Sequence, residues 1–257
     1  MSEDGSRAGA TAEAAAGPTV GFRAFARGAE VPDEVLAGFE GLGTGNVADA
    51  MHGHGSMSSS IRPLTTRRAL LGRALTVTVS PGNGMMVRRA IARARSGDVL
   101  VIDAHGAMER AVLGGNVAID AIHRGVTGLV VDGVVRDLDE LEALGLPVYA
   151  RGVSPRSGSD LGGRGEALGP IACGGACVLP GDVVVGDADG IVVVPAADAA
   201  SVGRRAGEIQ RRKGSAEDLP ARVAAVRAAG RGVYDPEEVR RSLVGQGLAE
   251  LDEAWRP

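Results

Sequence analysis

The sequence predicts an α/β fold, and three observations carry that expectation. Short β-branched runs such as VLVID (99–103), TGLVV (127–131) and DVVV (182–185) alternate with stretches of helical spacing. Residues 114–141 read as glycine turn, helix, buried strand and second helix, the order of a crossover between parallel strands. The pair Asp189-Gly190 joins DVVV to IVVV and marks a hairpin.

Each element follows in order. Residues 1–28, rich in small side chains, read as a disordered leader. VPDEVLAGFEGLG (31–43) is a short helix with Pro32 early, and TGNVADAM (44–51) is a second. Arg73 to Ser80 alternates as a strand, Val87 to Arg95 is a helix with arginines on one side, and Val99 to Asp103 is a strand. Asn116 to Arg124 is a helix with Val117, Ile119, Ala121 and Ile122 as its apolar positions and Gly125 as its stop. Thr127 to Val131 is a buried strand, and 137–144 is a helix ended by Gly145 and Pro147. Pro147 to Arg151 is a short strand, followed by a glycine-rich loop over 151–169. Asp187 and Asp189 look like a fragment of a calcium loop, but the Asp-Gly hairpin explains them better. Ala197 to Arg212 is a helix, and 217–257 is helical in two pieces with a break at GRGVYDP. The domain plan is a leader (1–28), an α/β domain (29–215) and a helical C-terminal extension (216–257), with no internal repeat.

Composition narrows the function. A chain of 257 residues, 44% hydrophobic and 23% charged, can bury a sizeable core as one domain. Aromatics are 2%, so that core must be Val, Ile, Leu and Ala. The net charge of −4 offers no broad positive surface for nucleic acid. No apolar run approaches the ~20 residues of a membrane helix, and the N-terminus lacks the basic start and apolar core of a secretory signal. The expectation is a cytoplasmic enzyme without a membrane or nucleic-acid partner.

Cys173 and Cys177 are spaced C-x3-C with no further cysteine to complete a zinc site, so both read as reduced, partly buried packing residues. His52 and His54 end the 44–51 helix without a third ligand at a recognisable spacing, and read as surface or supporting residues. His105 follows the strand ending at Ala104 and could border a site, and His123 lies near a helix end. Lys213 is the chain's one lysine and sits among arginines. Schiff-base chemistry needs a lysine in a dry pocket, so carbon–carbon cleavage here would need another means of stabilising charge.

The most informative spacing is Gly115, then twenty residues, then Arg136-Asp137, then two more and Glu140. The crossover brings the helix start near the strand end, so free amides at Gly115, Asn116 and Val117 are expected to face Arg136 and Asp137. Helix N-termini bind anions, Arg forks onto carboxylates, and Asp137 can hold a hard divalent cation. The set suggests a site for a small carboxylate bound with a metal. By themselves Asp137 and Glu140 also fit a capping box, with Asp137 as N-cap.

These residues resemble the G-X20-R-D-X2-E/D signature of the family that includes the regulator of ribonuclease activity A and the 4-hydroxy-4-methyl-2-oxoglutarate/4-carboxy-4-hydroxy-2-oxoadipate aldolases. TGNVADAM, ALTVTVSPGNG (74–84), SGDVLVIDAHG (96–106) and PGDVVVGDADGIVVVP (180–195) are similar to other family segments. One departure is Gly82-Asn83-Gly84, where the family loop often reads Gly-Asp-Asn. The resemblance implies a swivelling β/β/α domain and a homotrimer or homohexamer with its active site between subunits. A neighbour's acidic residue would complete that site, with Glu208, Glu237 and Glu238 all eligible. It further implies a divalent-metal-dependent lyase of class II aldolase type, using Mg²⁺ or Mn²⁺. Such an enzyme cleaves 4-hydroxy-2-oxo acids to pyruvate through a metal-stabilised enolate, with oxaloacetate decarboxylation as a side activity. In that reading Asp137 holds the metal and Glu140 contacts its waters. Arg136 and the amides near Gly115, Asn116 and Val117 bind the pyruvyl carboxylate. The alternatives are a non-catalytic regulator of a ribonuclease, or a decarboxylase or hydratase acting on another substrate.

Overall fold

In the computed structural model, described over residues 19–28, 30–158, 163–214, 218–230 and 232–248, helices and strands alternate through most of the chain. The elements are β1 (Phe22–Ala24), α1 (Asp33–Ala37), α2 (Thr44–Ala50), β2 (Arg62–Pro63), β3 (Leu70–Val79), α3 (Met85–Ile91), β4 (Asp98–Ala107), α4 (Gly115–His123), β5 (Gly128–Val135), α5 (Leu138–Ala143) and β6 (Val148–Val153). There follow β7 (Gly165–Ala167), β8 (Ile171–Cys173), β9 (Ala176–Val178), β10 (Val183–Gly186), β11 (Ile191–Val194), α6 (Ala199–Lys213), α7 (Leu219–Ala229) and α8 (Pro236–Gly245).

The sheet runs β1-β7-β3-β4-β5-β6-β2, and β3 also pairs with β10, which in turn pairs with β11. Strands β3 to β6 are parallel, with α3, α4 and α5 as their crossovers. Parallel strands are covered on both faces, which is why β5 is buried along its whole length. The same burial replaces the alternation expected for β3. On one face Val77, Leu100, Ile102, Leu129 and Val131 pack against Val87, Ala90, Ala118 and Leu141 of the crossover helices. On the other, Val99, Val101, Val130 and Tyr149 pack under β8–β9 and β10–β11. The result is β/β/α layering. A third cluster joins Phe39 and Val47 to β10, β11, Val202 and Ala206.

Polar groups fasten these layers. Asp132 on β5 pairs with Arg151 on β6 and accepts the Gly174 amide at 2.7 Å, tying the β8–β9 hairpin to the sheet. Asp182 accepts the Leu179 and Ala196 amides, each with one oxygen, and its burial pushes its pKa up. The hairpin read at Asp189-Gly190 is present between β10 and β11, its turn closed by Asp187 N–H to Gly190 O at 3.1 Å.

Three expectations need correction. Phe22–Ala24 lies within the segment read as leader, yet it forms a strand parallel to β7. Arg23 holds it there through Glu166 at 2.6 Å, and the guanidinium hydrogen bond keeps the Glu166 carboxyl below its usual range. Arg27 adds a fork onto the buried Asp98 at 2.7 and 2.9 Å. Second, the glycine-rich loop contains β7, which pairs with both β1 and β3. Third, Cys177 is exposed on the β8–β9 hairpin and only Cys173 is buried.

The chain divides between Ile209 and Gln210 into two compact units, where the sequence placed the boundary at 215. In the second unit α7 ends at Gly230 with φ 64°, and Asp235 caps α8 by accepting the Glu237 amide at 2.9 Å. Leader residues 1–18 and tail residues 249–257 lie outside the described residues. Among the described residues no helix is long and apolar enough to cross a membrane.

Burial and the nearby Asp132 and Asp103 raise the Cys173 thiol well above its ordinary pKa, so its thiolate is suppressed. A thiol reagent at neutral pH is therefore expected to modify Cys177 alone in the folded chain and both cysteines after denaturation. Mass analysis of the labelled protein checks this.

Candidate active site

Strand β5 ends at Val135, and the next two residues carry the chemistry. Asp137 has left-handed backbone geometry, φ 57° and ψ 45°, which Asp and Asn tolerate better than most residues. This turn leads the chain from the sheet into α5. Asp137 stands at the N-cap position of α5, but its side chain makes no capping hydrogen bond there. Side-chain capping uses a residue in the extended region, and the left-handed turn removes that geometry. The capping-box reading is therefore incorrect for Asp137. Its Oδ2 instead accepts the Gly115 amide of α4 at 3.1 Å and lies 3.3 Å from Arg136 Nε.

Glu140, one turn into α5, leans on the same place. A Cβ at Gly115 would overlap Glu140 Oε2, and a Cβ at Gly114 would overlap Asp137 Oδ2. Two carboxylates thus occupy the space that side chains at 114 and 115 would need. Gly115, Arg136, Asp137 and Glu140 converge as their spacing suggested. Sequence reasoning did not single out Gly114, although its neighbouring glycine was a signal.

The expected trio of free amides is only partly present. Gly115 N–H is taken by Asp137, and Val117 N–H is bonded to Gly114 O at 3.1 Å. The exposed Asn116 has the amide that, among the described residues, no acceptor takes. It lies at the end of α4 where the helix dipole is positive. Beside it is a cavity of about 130 Å³ whose lining includes Gly84, Gly114, Val117, Arg136 and Ser157. The site is open in the single chain, with the side chains of Arg136 and Asp137 39% and 33% exposed.

Other candidates fall elsewhere. Asn83 is buried and its Oδ1 accepts the Met85 amide at 3.0 Å, so the residue that replaces the expected loop carboxylate supports the start of α3. His52 and His54 are exposed beyond α2. His105, at φ 56°, lies at the end of β4 with its Nδ1 3.4 Å from Asp103. Lys213 is exposed at the end of α6, which does not suit a Schiff base. Glu208 is on α6, and Glu237 and Glu238 are in the first turn of α8. Among the described residues no group of three or more His, Cys, Asp or Glu side chains is placed to hold a metal ion.

The packing at Gly115 gives a test of which residues share this space. In Gly115→Ala the new methyl group must displace the Glu140 carboxylate, while Ala itself favours the helix by up to about 1 kcal/mol. The variant is expected to keep its thermal stability within a few degrees while losing function that depends on Glu140. Thermal denaturation beside an activity assay separates the two effects.

Comparison with known proteins places this geometry. The family model RraA-like, Aldolase/RraA, matches residues 44–193, which contain every residue of the Gly115–Glu140 cluster. A protein of Halalkalibacterium halodurans named "Putative 4-hydroxy-4-methyl-2-oxoglutarate aldolase" is 39% identical over 162 residues, covering 63% of this chain and 77% of that protein. Among solved structures, RraAS2 of Streptomyces coelicolor is described as an unusual member of the RNase ES inhibitor RraA family. It superposes with a TM-score of 0.64 at 27% identity, over 71% of this chain and 96% of that one. The RNA-processing inhibitor RraA from Thermus thermophilis gives a TM-score of 0.55 at 29% identity, over 60% and 92%. The fold, the cluster and a match over more than half of the chain agree: this protein belongs to the RraA-like aldolase/RraA family.

Proposed function

We propose that this protein is a divalent-metal-dependent lyase that cleaves 4-hydroxy-2-oxo acids to pyruvate and decarboxylates oxaloacetate. The observation that carries the reading is the convergence of Asp137 and Glu140 on the start of α4, with Arg136 at the cavity wall beside them. The aldolase names among its relatives support the reaction class.

The donor set fits Mg²⁺ or Mn²⁺. Such ions take one or two carboxylates and keep several waters, so they need no closed cage of protein ligands. Asp137 would hold the ion, with Glu140 contacting its waters. When bound, the ion supplies Lewis-acid stabilisation of negative charge on the substrate oxygens. The chain's own residues bind and orient. Arg136 forks onto the carboxylate next to the keto group, and the Asn116 amide donates to the same carboxylate at the positive end of α4. Asp137 holds Arg136 in place through the 3.3 Å contact. Cleavage of C3–C4 in a 4-hydroxy-2-oxo acid and loss of CO₂ from oxaloacetate both leave negative charge on the same pyruvyl unit. One site therefore serves both reactions. The family resemblance carries the further expectation of a homotrimer or homohexamer, in which a neighbouring chain would cover the partly exposed Arg136 and Asp137.

A second reading follows from the solved relatives described as RNA-processing inhibitors: a non-catalytic regulator of a ribonuclease. It does not require the paired carboxylates.

Asp137→Asn tests the first reading. Asn tolerates the left-handed backbone and still offers an oxygen to Gly115, but it lacks the charge. Turnover is expected to fall by roughly two to three orders of magnitude, with stability within about 1 kcal/mol of the parent because the lost ion pair is exposed. Undiminished turnover of a 4-hydroxy-2-oxo acid with Mg²⁺ would remove Asp137 from the metal site. Absence of turnover by the parent chain with any divalent metal moves the ribonuclease reading ahead.

Arg136→Lys separates substrate from metal. Lys lacks the planar fork, so oxalate and pyruvate are expected to bind about tenfold more weakly while Mg²⁺ affinity is retained. Calorimetric titrations of one preparation measure both. Loss of Mg²⁺ with oxalate binding intact would reverse the assigned roles.

A further inference from the structure

A second group of polar side chains lies on the hairpin face of the sheet, and none of them lines the cavity beside Asp137. Thr78, Asp103 and Asp132 stand opposite one another on β3, β4 and β5, and Arg151 continues the row on β6. Val101, Val130 and Tyr149, two residues earlier on β4, β5 and β6, pack under the hairpins, so Asp103, Asp132 and Arg151 face the same way. The row lies towards the carboxyl ends of the parallel strands, the edge at which α/β sheets bind ligands.

Strand β4 is irregular at this point. Its register with β5 shifts between Asp103 and Ala107, and His105 and Gly106 both take left-handed geometry, φ 56° and 69°. A bulge of this kind bends its strand and re-aims a side chain. Two buried acids hold the result from behind. Asp103 accepts the His105 main-chain amide at 2.8 Å, and the same oxygen lies 3.4 Å from the ring Nδ1. Asp132 pairs with Arg151 Nε and accepts the Gly174 amide with its other oxygen. Gly106 packs on the Arg151 guanidinium, where a Cβ would sit 3.5 Å from Cζ and Nε. The residue next to His105 therefore touches Arg151, although β4 and β6 are separated by β5.

The outer ends of these two side chains hold nothing in the fold together. The His105 side chain is 57% exposed, and its Nε2 has only the Thr78 hydroxyl, at 3.4 Å. Among the described residues Arg151 donates from Nε alone, and Nη1 and Nη2 meet no acceptor. A guanidinium edge beside an imidazole, each backed by a buried carboxylate, is a donor set for an oxyanion. We infer that His105 and Arg151 form a second ligand site, which binds a small oxyanion, a carboxylate or a phosphoryl group, separately from the cavity beside Asp137. Arg151 supplies the charge through its Nη groups. His105 donates from Nε2, and with Nδ1 directed at Asp103 it does so as the doubly protonated ring. Asp103 and Asp132 orient the two donors and touch no ligand.

Inorganic phosphate and acetate are the probes, each titrated into the full chain and followed by NMR of the imidazole groups. The chain has four histidines, and His105→Asn identifies the His105 signals because Asn accepts the left-handed backbone. At least one probe is expected to shift those signals with a dissociation constant in about the millimolar range. The tighter probe names the source of the oxyanion, phosphate for a phosphoryl group and acetate for a carboxylate. Arg151→Gln is expected to weaken that probe at least about tenfold, and Arg151→Lys, which keeps a charge beside Asp132, by less. Because Arg151→Gln removes the partner of a buried acid, calorimetry on His105→Asn gives an independent reading, with weaker binding of the same probe expected. Arg136→Gln is expected to leave the His105 response as it was. No shift of the His105 signals with either anion, unchanged affinity in His105→Asn, or loss of the response in Arg136→Gln overturns the site.

Discussion

The contact between two carboxylates and the glycine start of α4 is the constraint around which this site is arranged. Asp137 reaches across from β5 to accept the Gly115 amide, and Glu140 fills the space that a side chain at 115 would need. Side chains at 114 or 115 would push the acids away, and a right-handed Asp137 would send the chain along another path. The left-handed turn, the glycine pair and the parallel crossover therefore depend on one another. The crossover supplies the proximity, because β4 and β5 are parallel and end at the same edge of the sheet, which places the start of α4 beside the end of β5.

The sheet fixes this arrangement from outside. β4, β5 and β6 are flanked by α3, α4 and α5 on one face and by hairpins on the other. Asp132 and Asp182 each satisfy amides that join a hairpin or loop to the sheet, which accounts for buried carboxylates away from the cavity. The aromatic-poor core relies on interleaved Val, Ile, Leu and Ala, with Phe39 and Tyr149 as its two large buried rings. Tyr149 OH donates towards main-chain oxygens of Arg68 and Asp187 and so is not left unpaired.

Much of this was legible in the residues. The apolar spacing from Val117 to Ile122 with Gly125 marked α4, and the valine runs either side of Asp189-Gly190 marked β10 and β11. The convergence of Gly115, Arg136, Asp137 and Glu140 followed from their spacing. What escaped has a common cause. β1, β7, β8 and β9 are three residues long, too short to show a period, and β1 and β7 also pair with strands distant in sequence. Capping logic misplaced the Asp137 carboxylate because the sign of its φ is set by the β5–α5 turn. The same limit applies to Val117, whose amide closes the first turn of α4 on Gly114.

The pairing of strands far apart in sequence bears on how the chain reaches this structure. The signature cluster spans only Gly115 to Glu140 and is built from consecutive elements, so its parts can meet soon after they are made. The surrounding sheet cannot close so early: β3 awaits β10, with Arg73 opposite Val183, and β1 awaits β7, with Phe22 opposite Gly165. Long-range pairings are slow because the loop entropy is lost before the contacts form. During synthesis the cluster is thus assembled on a half-built sheet, and the last strands to emerge are those that seal the face of the sheet opposite α4.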